Sequence, residues 1–455
     1  MKYIPQLDKN FKPMVLEFRK YSEAVSKTDN KPLKICVERN DGYNYIFSYN
    51  IFACPCKADE NNRMAERLAK TILWLVGGYK IYVLGDEGVY NFLKDAYTDT
   101  GIRAFDKNFM ERVYENKFEV VLCDEKSFPE EKKCSLSVGG HLDGCRIGFD
   151  AGGSDRKVSA VIDGEVVYSE EVVWFPKINP DPDYHYNEIL TAMKTAASKM
   201  PRVDAIGVSS AGVYVNNKIM VASLFLKVPD DEFEKKVKNM YIDVAKEMGE
   251  NIPLEVANDG DVTALAGAID LNDNCVLGIA MGTSEAVGYI NDKGGLNGWL
   301  SELAFVPVDY DKDSMVDEWS GDYGCGVKYF SQDSVIKLAE YGGFKFDEKL
   351  SPAEKLKVIQ GLMKEGSPLA RQIYEDIGTY LGYTLPFYAM FYDIKHILLL
   401  GRVTSGEGGN IVMDRANQVL AEEFPEYSFR VEMPDETNRR VGQSIAAASL
   451  AASRK

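Results

Sequence analysis

The stretch from Ile147 to Asp163, Ile-Gly-Phe-Asp-Ala-Gly-Gly-Ser-Asp-Arg-Lys-Val-Ser-Ala-Val-Ile-Asp, constrains the fold more than any other part of the chain. Ile147 and Phe149 alternate with small or polar neighbours, the pattern of a half-buried strand. Asp150 closes that strand. Gly152 and Gly153 carry no Cβ, so the turn after it can bend tightly and bring bare N–H groups against a ligand. Lys157, Ser159 and Val161 alternate along a return strand, and Asp163-Gly164 is the next turn. A carboxylate beside free backbone donors suits a metal-bound phosphate: amides hold anionic oxygens while the carboxylate holds Mg²⁺ through water. Taken alone, the stretch is equally well read as an ordinary hairpin with a glycine turn.

Its weight comes from related patterns further along the chain. Val276–Met281 begins a second strand–glycine turn–strand unit, Gly-Ile-Ala-Met-Gly-Thr-Ser-Glu-Ala-Val-Gly-Tyr-Ile, as though one module had been duplicated. A third glycine turn, 401–406, comes after the apolar run His396–Leu400. Between the first two turns lies Asp259, where the strand Leu254–Ala257 runs into the helix Val262–Ile269. Open α/β sheets bind ligands at the carboxyl ends of their strands, so a catalytic carboxylate belongs there. The competing reading of Asp259 is a helix N-cap, which Asn258-Asp259 also fits.

At 455 residues the chain has room for about three domains. A net charge of −17 argues against a nucleic-acid surface, which needs clustered Lys and Arg. The start, Met1-Lys2-Tyr3-Ile4-Pro5, lacks a signal-type apolar core, and no run is long enough to span a bilayer, so neither nucleic acid nor membrane is expected as a partner. The eight cysteines stand singly except Cys54 and Cys56. That spacing predicts reduced, buried, structural thiols in a cytoplasmic protein.

Along the chain, residues 1–30 are helical in pattern, 33–38 and Tyr43–Phe52 are strands about an Asn-Asp-Gly turn, and Glu60–Val76 is a helix stopped by Gly77-Gly78. Lys80–Leu84 and Glu119–Cys123 are further strands around the helix Val89–Tyr97. Residues 124–140 read as a linker or hairpin, so 1–140 makes a small α+β domain with no basic helix-turn-helix pattern. Beyond it, Asp231–Met248 predicts one amphipathic helix, and the acidic stretch Asp309–Gly326 predicts a surface loop.

The order of turns and carboxylate resembles the sugar kinase, heat-shock-protein and actin superfamily of ATPases, closest to the ROK family of bacterial sugar kinases and sugar-responsive repressors. The likeness covers about 146–453. Asp150-Ala-Gly-Gly-Ser resembles that family's first phosphate motif, and Ala257-Asn-Asp-Gly-Asp-Val-Thr-Ala its catalytic segment. Gly282-Thr283 resembles the start of the second phosphate motif, Gly295-Leu-Asn-Gly-Trp-Leu-Ser-Glu-Leu the sugar loop, and Ile397-Leu-Leu-Leu-Gly-Arg-Val-Thr-Ser the adenosine motif. The resemblance implies an α/β, two-lobed, actin/hexokinase-like (ribonuclease H-like) kinase fold preceded by the α+β domain. Lobe one would span 146–265 and lobe two 266–455, with the last helix returning to lobe one.

It further implies ATP and Mg²⁺ as cofactors and Asp259 as the general base. Asn258, Glu302, Asn297 and Gly212 would contact the sugar. Gly152, Gly153, Ser154, Lys157, Gly282, Thr283, Gly401 and Arg402 would hold the nucleotide, and Asp150 would hold Mg²⁺ through water. A homodimer is an expectation of the family. The departures are specific: Ala304-Phe305 stands where many members carry Gly-His, and around 321–330 only Cys325 remains of a zinc cluster of one His and three Cys, so no zinc is expected. Glu285 stands where the second phosphate turn has small residues, and Arg402 and Val403 replace two glycines of the adenosine turn. The leading expectation is a sugar kinase; the alternative is a non-catalytic sugar- or nucleotide-binding regulator on the same scaffold.

Overall fold

The computed structural model describes residues 1–134, 138–434 and 436–453, without the side chains of 435–441. Residues 135–137 of the expected linker lie outside the described residues. The first segment runs α1 (Met14–Ser26), β1 (Asn30–Glu38), β2 (Asn44–Phe52), α2 (Ala58–Val76), β3 (Lys80–Leu84), α3 (Glu87–Ala96), α4 (Ala104–Tyr114) and β4 (Glu119–Cys123). The middle runs β5 (Cys145–Ala151), β6 (Asp155–Ile162), β7 (Glu165–Val173), α5 (Pro182–Ala197), β8 (Ala205–Ser210), β9 (Val213–Val215), β10 (Lys218–Val221), α6 (Asp230–Glu232), α7 (Met240–Met248), β11 (Leu254–Asn258), α8 (Asp259–Leu271), β12 (Val276–Met281) and β13 (Glu285–Ile290). The remainder is α9 (Gln332–Tyr341), α10 (Pro352–Lys364), α11 (Pro368–Tyr388), β14 (His396–Leu400), α12 (Glu407–Glu423), β15 (Arg430–Glu432) and α13 (Glu436–Ala448).

The chain forms two compact units. One comprises Met1–Cys134, Ile279–Ala286 and Gly298–Met433; the other comprises Ser135–Gly278, Val287–Asn297 and Pro434–Lys455. These cuts differ from boundaries at 140 and 265: the first segment clusters with the 298–433 part of the chain.

In the second unit a five-stranded sheet is ordered β11-β8-β5-β6-β7. The hairpin strands β5, β6 and β7 pair antiparallel, while β8 and β11 add in parallel. Ile147, Phe149, Val158, Ile206 and Val208 from this sheet and Ile189, Met193 and Val244 from α5 and α7 form one buried core. The sheet's other face takes α13. A Cβ on Gly148 would lie 2.6 Å from the Ser444 carbonyl, and one on Gly207 would lie 1.7 Å from that of Ala447, so glycine at both strand positions lets the helix backbone approach.

In the first unit, α1 to β4 build a sheet ordered β2-β1-β3-β4. Helices α11 and α12 pack closely, with Gly378 and Gly382 against the backbone of Val412 and Ala416. Strand order β13-β12-β14-β15 makes a further sheet.

Three expectations are corrected. Asp231–Met248 is not one helix: a π-helical stretch, Phe233–Val237, separates α6 from α7. The Lys238 carbonyl accepts a hydrogen bond from the Ile219 N–H of β10 at 2.9 Å, which takes it out of the helical ladder. The Asp309–Gly326 stretch is irregular but not a surface loop, since Asp309, Asp311, Asp317 and Asp322 are buried. Hydrogen-bond and ion-pair partners hold them, so charge did not signal exposure. Cys54 and Cys56 are exposed and disulfide-linked instead of buried and reduced. The short Pro55 turn between them brings the two sulfurs together. Among the described residues no helix is long and apolar enough to cross a membrane.

Candidate active site

Asp150 is the penultimate residue of β5. Its register neighbours are Lys157 on β6 and Ser209 on β8, and the Ser209 hydroxyl donates to its Oδ1 at 2.9 Å. Burial pushes the carboxyl up, and Ser209 and then Lys157 pull it back. The turn after it is fixed from β7's end. The Trp174 indole N–H donates to the Gly152 carbonyl at 2.7 Å, and the Trp174 backbone N–H donates to that of Ser154 at 3.1 Å. A Cβ on Gly153 would come within 2.6 Å of Lys177 Cε and 2.7 Å of Lys177 Nζ. Lys177 therefore lies against this turn, a cation that sequence reasoning missed because it sits 24 residues on in a loop without a recognisable pattern.

Asp259 begins α8 directly after β11. The cap of that helix is Asn258: its Oδ1 accepts from the Gly260 N–H at 2.8 Å, and its Nδ2 donates to the Gly212 carbonyl at 2.8 Å. Capping is thus assigned to Asn258, and the Asp259 carboxylate makes only a 3.0 Å contact with the next N–H. Burial and then the nearby charge of Asp150 push Asp259 up to about 6. Two residues on, burial pushes Asp261 to about 7, and its carboxylate accepts the Tyr289 N–H at 3.3 Å. A Cβ on Gly288 would lie 2.2 Å from the Gly260 carbonyl, so α8 packs directly on β13. Asn297 is in the same unit, its Oδ1 accepting from Asn291 Nδ2 at 2.9 Å.

The remaining predicted residues lie in the other unit. Gly282 donates to the Ser284 carbonyl at 3.0 Å and accepts from the Gln332 N–H at 2.9 Å. Gly401 has φ +102, and a Cβ there would lie 2.2 Å from the Met281 carbonyl, so only glycine lets the two turns meet. Arg402 Nη2 then donates to Thr283 Oγ1 at 3.0 Å. Glu302 sits at the end of the 298–302 loop, its N–H donating to the Trp74 carbonyl at 3.1 Å.

Glu285 turns away from its exposed turn. It is 3% exposed, and a Cβ on Gly326 would lie 2.3 Å from its Oε2. Burial and then the charge of Glu302 push its carboxyl up to about 8, with Tyr388 opposing.

Asp150 and Asp259 stand at the ends of strands β5 and β11 of one sheet, with β8 between them, and carboxylates are hard oxygen donors of the kind Mg²⁺ takes. That ion takes one or two carboxylates and completes its shell with water and phosphate. Among the described residues no group of three or more His, Cys, Asp or Glu is placed to hold a metal ion.

Strand–turn–strand hairpins, parallel strands and an aspartate at a strand–helix junction define a hexokinase-like α/β protein. The ROK family model matches residues 146–452, and the chain belongs to the ROK family. Among solved structures it is similar to a ROK hexokinase from Thermus thermophilus, with 16% identity over 67% of this chain and 97% of that one and a TM-score of 0.52. It is also similar to a ROK family transcriptional regulator, a homologue of the E. coli MLC protein, with 18% identity over 68% and 79% and a TM-score of 0.53. At such identities the likeness carries the fold alone. No curated protein matches the chain.

Proposed function

We propose that this ROK protein phosphorylates a hydroxyl of a sugar or sugar derivative with ATP. The observation that carries the reading is Asp259. It stands at a strand end and a helix start, its capping duty is taken by Asn258, and its carboxyl is held up near about 6. A base of that strength is largely ionised at neutral pH and accepts the proton of a sugar hydroxyl as the oxygen attacks the γ-phosphate. Asn258, Asn297 and Glu302 hydrogen-bond other hydroxyls, with the Gly212 backbone beside Asn258, and fix the sugar for attack.

The Gly152–Ser154 amides, with Lys157 nearby, receive the β-phosphate. Gly282 and Thr283 receive the γ-phosphate, and Gly401 and Arg402 border the adenosine. Asp150 would hold Mg²⁺ through water. Bound there, the ion neutralises phosphate charge.

A second reading, a sugar- or nucleotide-binding regulator without catalysis, is favoured by one observation. Arg402 takes up the Thr283 hydroxyl inside the second phosphate turn. ADP release with ATP, Mg²⁺ and a panel of hexoses and amino sugars separates the two. Sugar-dependent turnover supports the kinase. No turnover with any sugar, while a sugar or nucleotide raises the melting temperature, supports the regulator.

A further inference from the structure

The first segment of the chain carries no function in its sequence, yet it meets the sugar loop and the chain that follows it, residues 300–322, at three places, all within one compact unit. The first is backbone. Helix α2 stops at Gly77, whose φ of +78 turns the chain away, and the last carbonyls of a helix have no partner of their own. Here the carbonyls of Val76, Leu75 and Trp74 accept, in order, the N–H groups of Leu300 at 3.2 Å, Ser301 at 2.9 Å and Glu302 at 3.1 Å. Ser301 has φ +52, a left-handed conformation uncommon for a side-chain-bearing residue. A Cβ on Gly77 would lie 3.1 Å from Leu300 Cβ and collide with the Tyr114 hydroxyl, so the junction leaves room for nothing larger than glycine.

The second is aromatic. Three residues after Glu302, Phe305 packs on Trp74 with ring centres 4.3 Å apart, and reaches Phe105 at 5.5 Å and Phe109 at 6.4 Å. The Trp74 indole N–H is fixed by Asp106 Oδ1 at 2.5 Å. The third is ionic. Asp322, further along the same part of the chain, accepts from Arg67 at 3.1 Å, Lys70 at 2.7 Å and Arg103 at 2.8 Å. Glu66 and Asp106 complete three buried carboxylates against three buried cations. Phe305 and the 321–330 loop are also where this chain departs from the pattern its family suggests.

We propose that α2 and α4 of the first segment are the platform that positions Glu302, so that residues 1–134 are part of the sugar site. Trp74 and Phe305 are positioning residues: they touch no substrate and act through the backbone of 300–302. This rests on reading Glu302 as a sugar ligand, and the experiment keeps the two apart.

Full-length Phe305→Ala is compared with wild type by amide hydrogen exchange of the peptide spanning 300–302 and by separate KM values for sugar and ATP. Phe305→Leu, which keeps an apolar contact, is the milder variant should the first fail to fold. Wild-type amides are expected to exchange at least tenfold more slowly than in Phe305→Ala. The sugar KM is expected to rise at least tenfold in that variant with the ATP KM within twofold, and Phe305→Leu should fall between. Fast exchange at 300–302 in wild type, or a variant that weakens sugar and ATP alike, overturns the platform. If wild type turns over no sugar while the amides are protected and Phe305→Ala releases them, the platform stands and the kinase reading falls.

Discussion

Glu285 is a carboxylate whose surroundings reject its charge. Both its oxygens are buried without a full hydrogen bond, as is the Tyr388 hydroxyl that faces them, and Glu302 adds a like charge. Its carboxyl, ordinarily 4.5, is raised to about 8. The folded protein therefore keeps a proton that the unfolded chain gives up, and stability falls as pH rises through that window. Glu285→Gln, neutral and of the same shape, should melt higher than wild type at about pH 8 and match it at about pH 4.5. A difference that does not change with pH would show that the residue is ionised when folded. Asp259 was legible in the sequence because a strand end followed by a helix start fixes where a side chain sits. The direction of Glu285 was not, since a residue at the head of a strand can face either way and Gly326, the neighbour that makes room for it, lies 41 positions on.

Helices and strands with a clean period, such as α2 and β5, were readable from spacing. What spacing missed depends on distant partners. The break before α7 comes from a β10 amide, and the buried acids of 309–322 come from cations and backbone donors elsewhere in the chain. Two predictions belong to this scale. Gly207→Ala pushes a Cβ into the Ala447 carbonyl of α13, so unfolding should become easier by about 1–3 kcal/mol in denaturant titration. An unchanged midpoint would mean that α13 is not seated on β8.

In the ionic cluster, Arg67, Lys70 and Arg103 overcome burial to hold Asp322 well below the usual carboxylate range, and Arg67 and Arg103 lower Glu66. Stability from these depressed groups is complete above the unfolded carboxylate range and is lost progressively as pH falls from there toward their lower folded values. Asp322→Asn should cost about 3–5 kcal/mol at neutral pH, by leaving buried cations uncompensated, and should flatten the acid limb of the stability profile. Equal acid sensitivity in wild type and variant would contradict the cluster's role.

At the scale of the whole chain, the family was legible because glycine turns after strands recur in a fixed order. The place of the first segment was not legible. Its sequence reads as a separate α+β domain, and nothing local in Trp74–Val76 announces that three helix-end carbonyls are reserved for a loop more than 220 residues further on. The same order of turns serves both enzymes and regulators, so sequence and fold alone leave the chemistry to Asp259. The most direct measurement is sugar-dependent ADP release by wild type and Asp259→Ala across hexoses and amino sugars, with sugar binding followed alongside. Turnover that drops by about 10²–10⁴ in the variant while sugar binding persists is the outcome expected of a general base. Turnover unchanged by the substitution, or none in wild type despite sugar binding, would contradict a kinase built on Asp259.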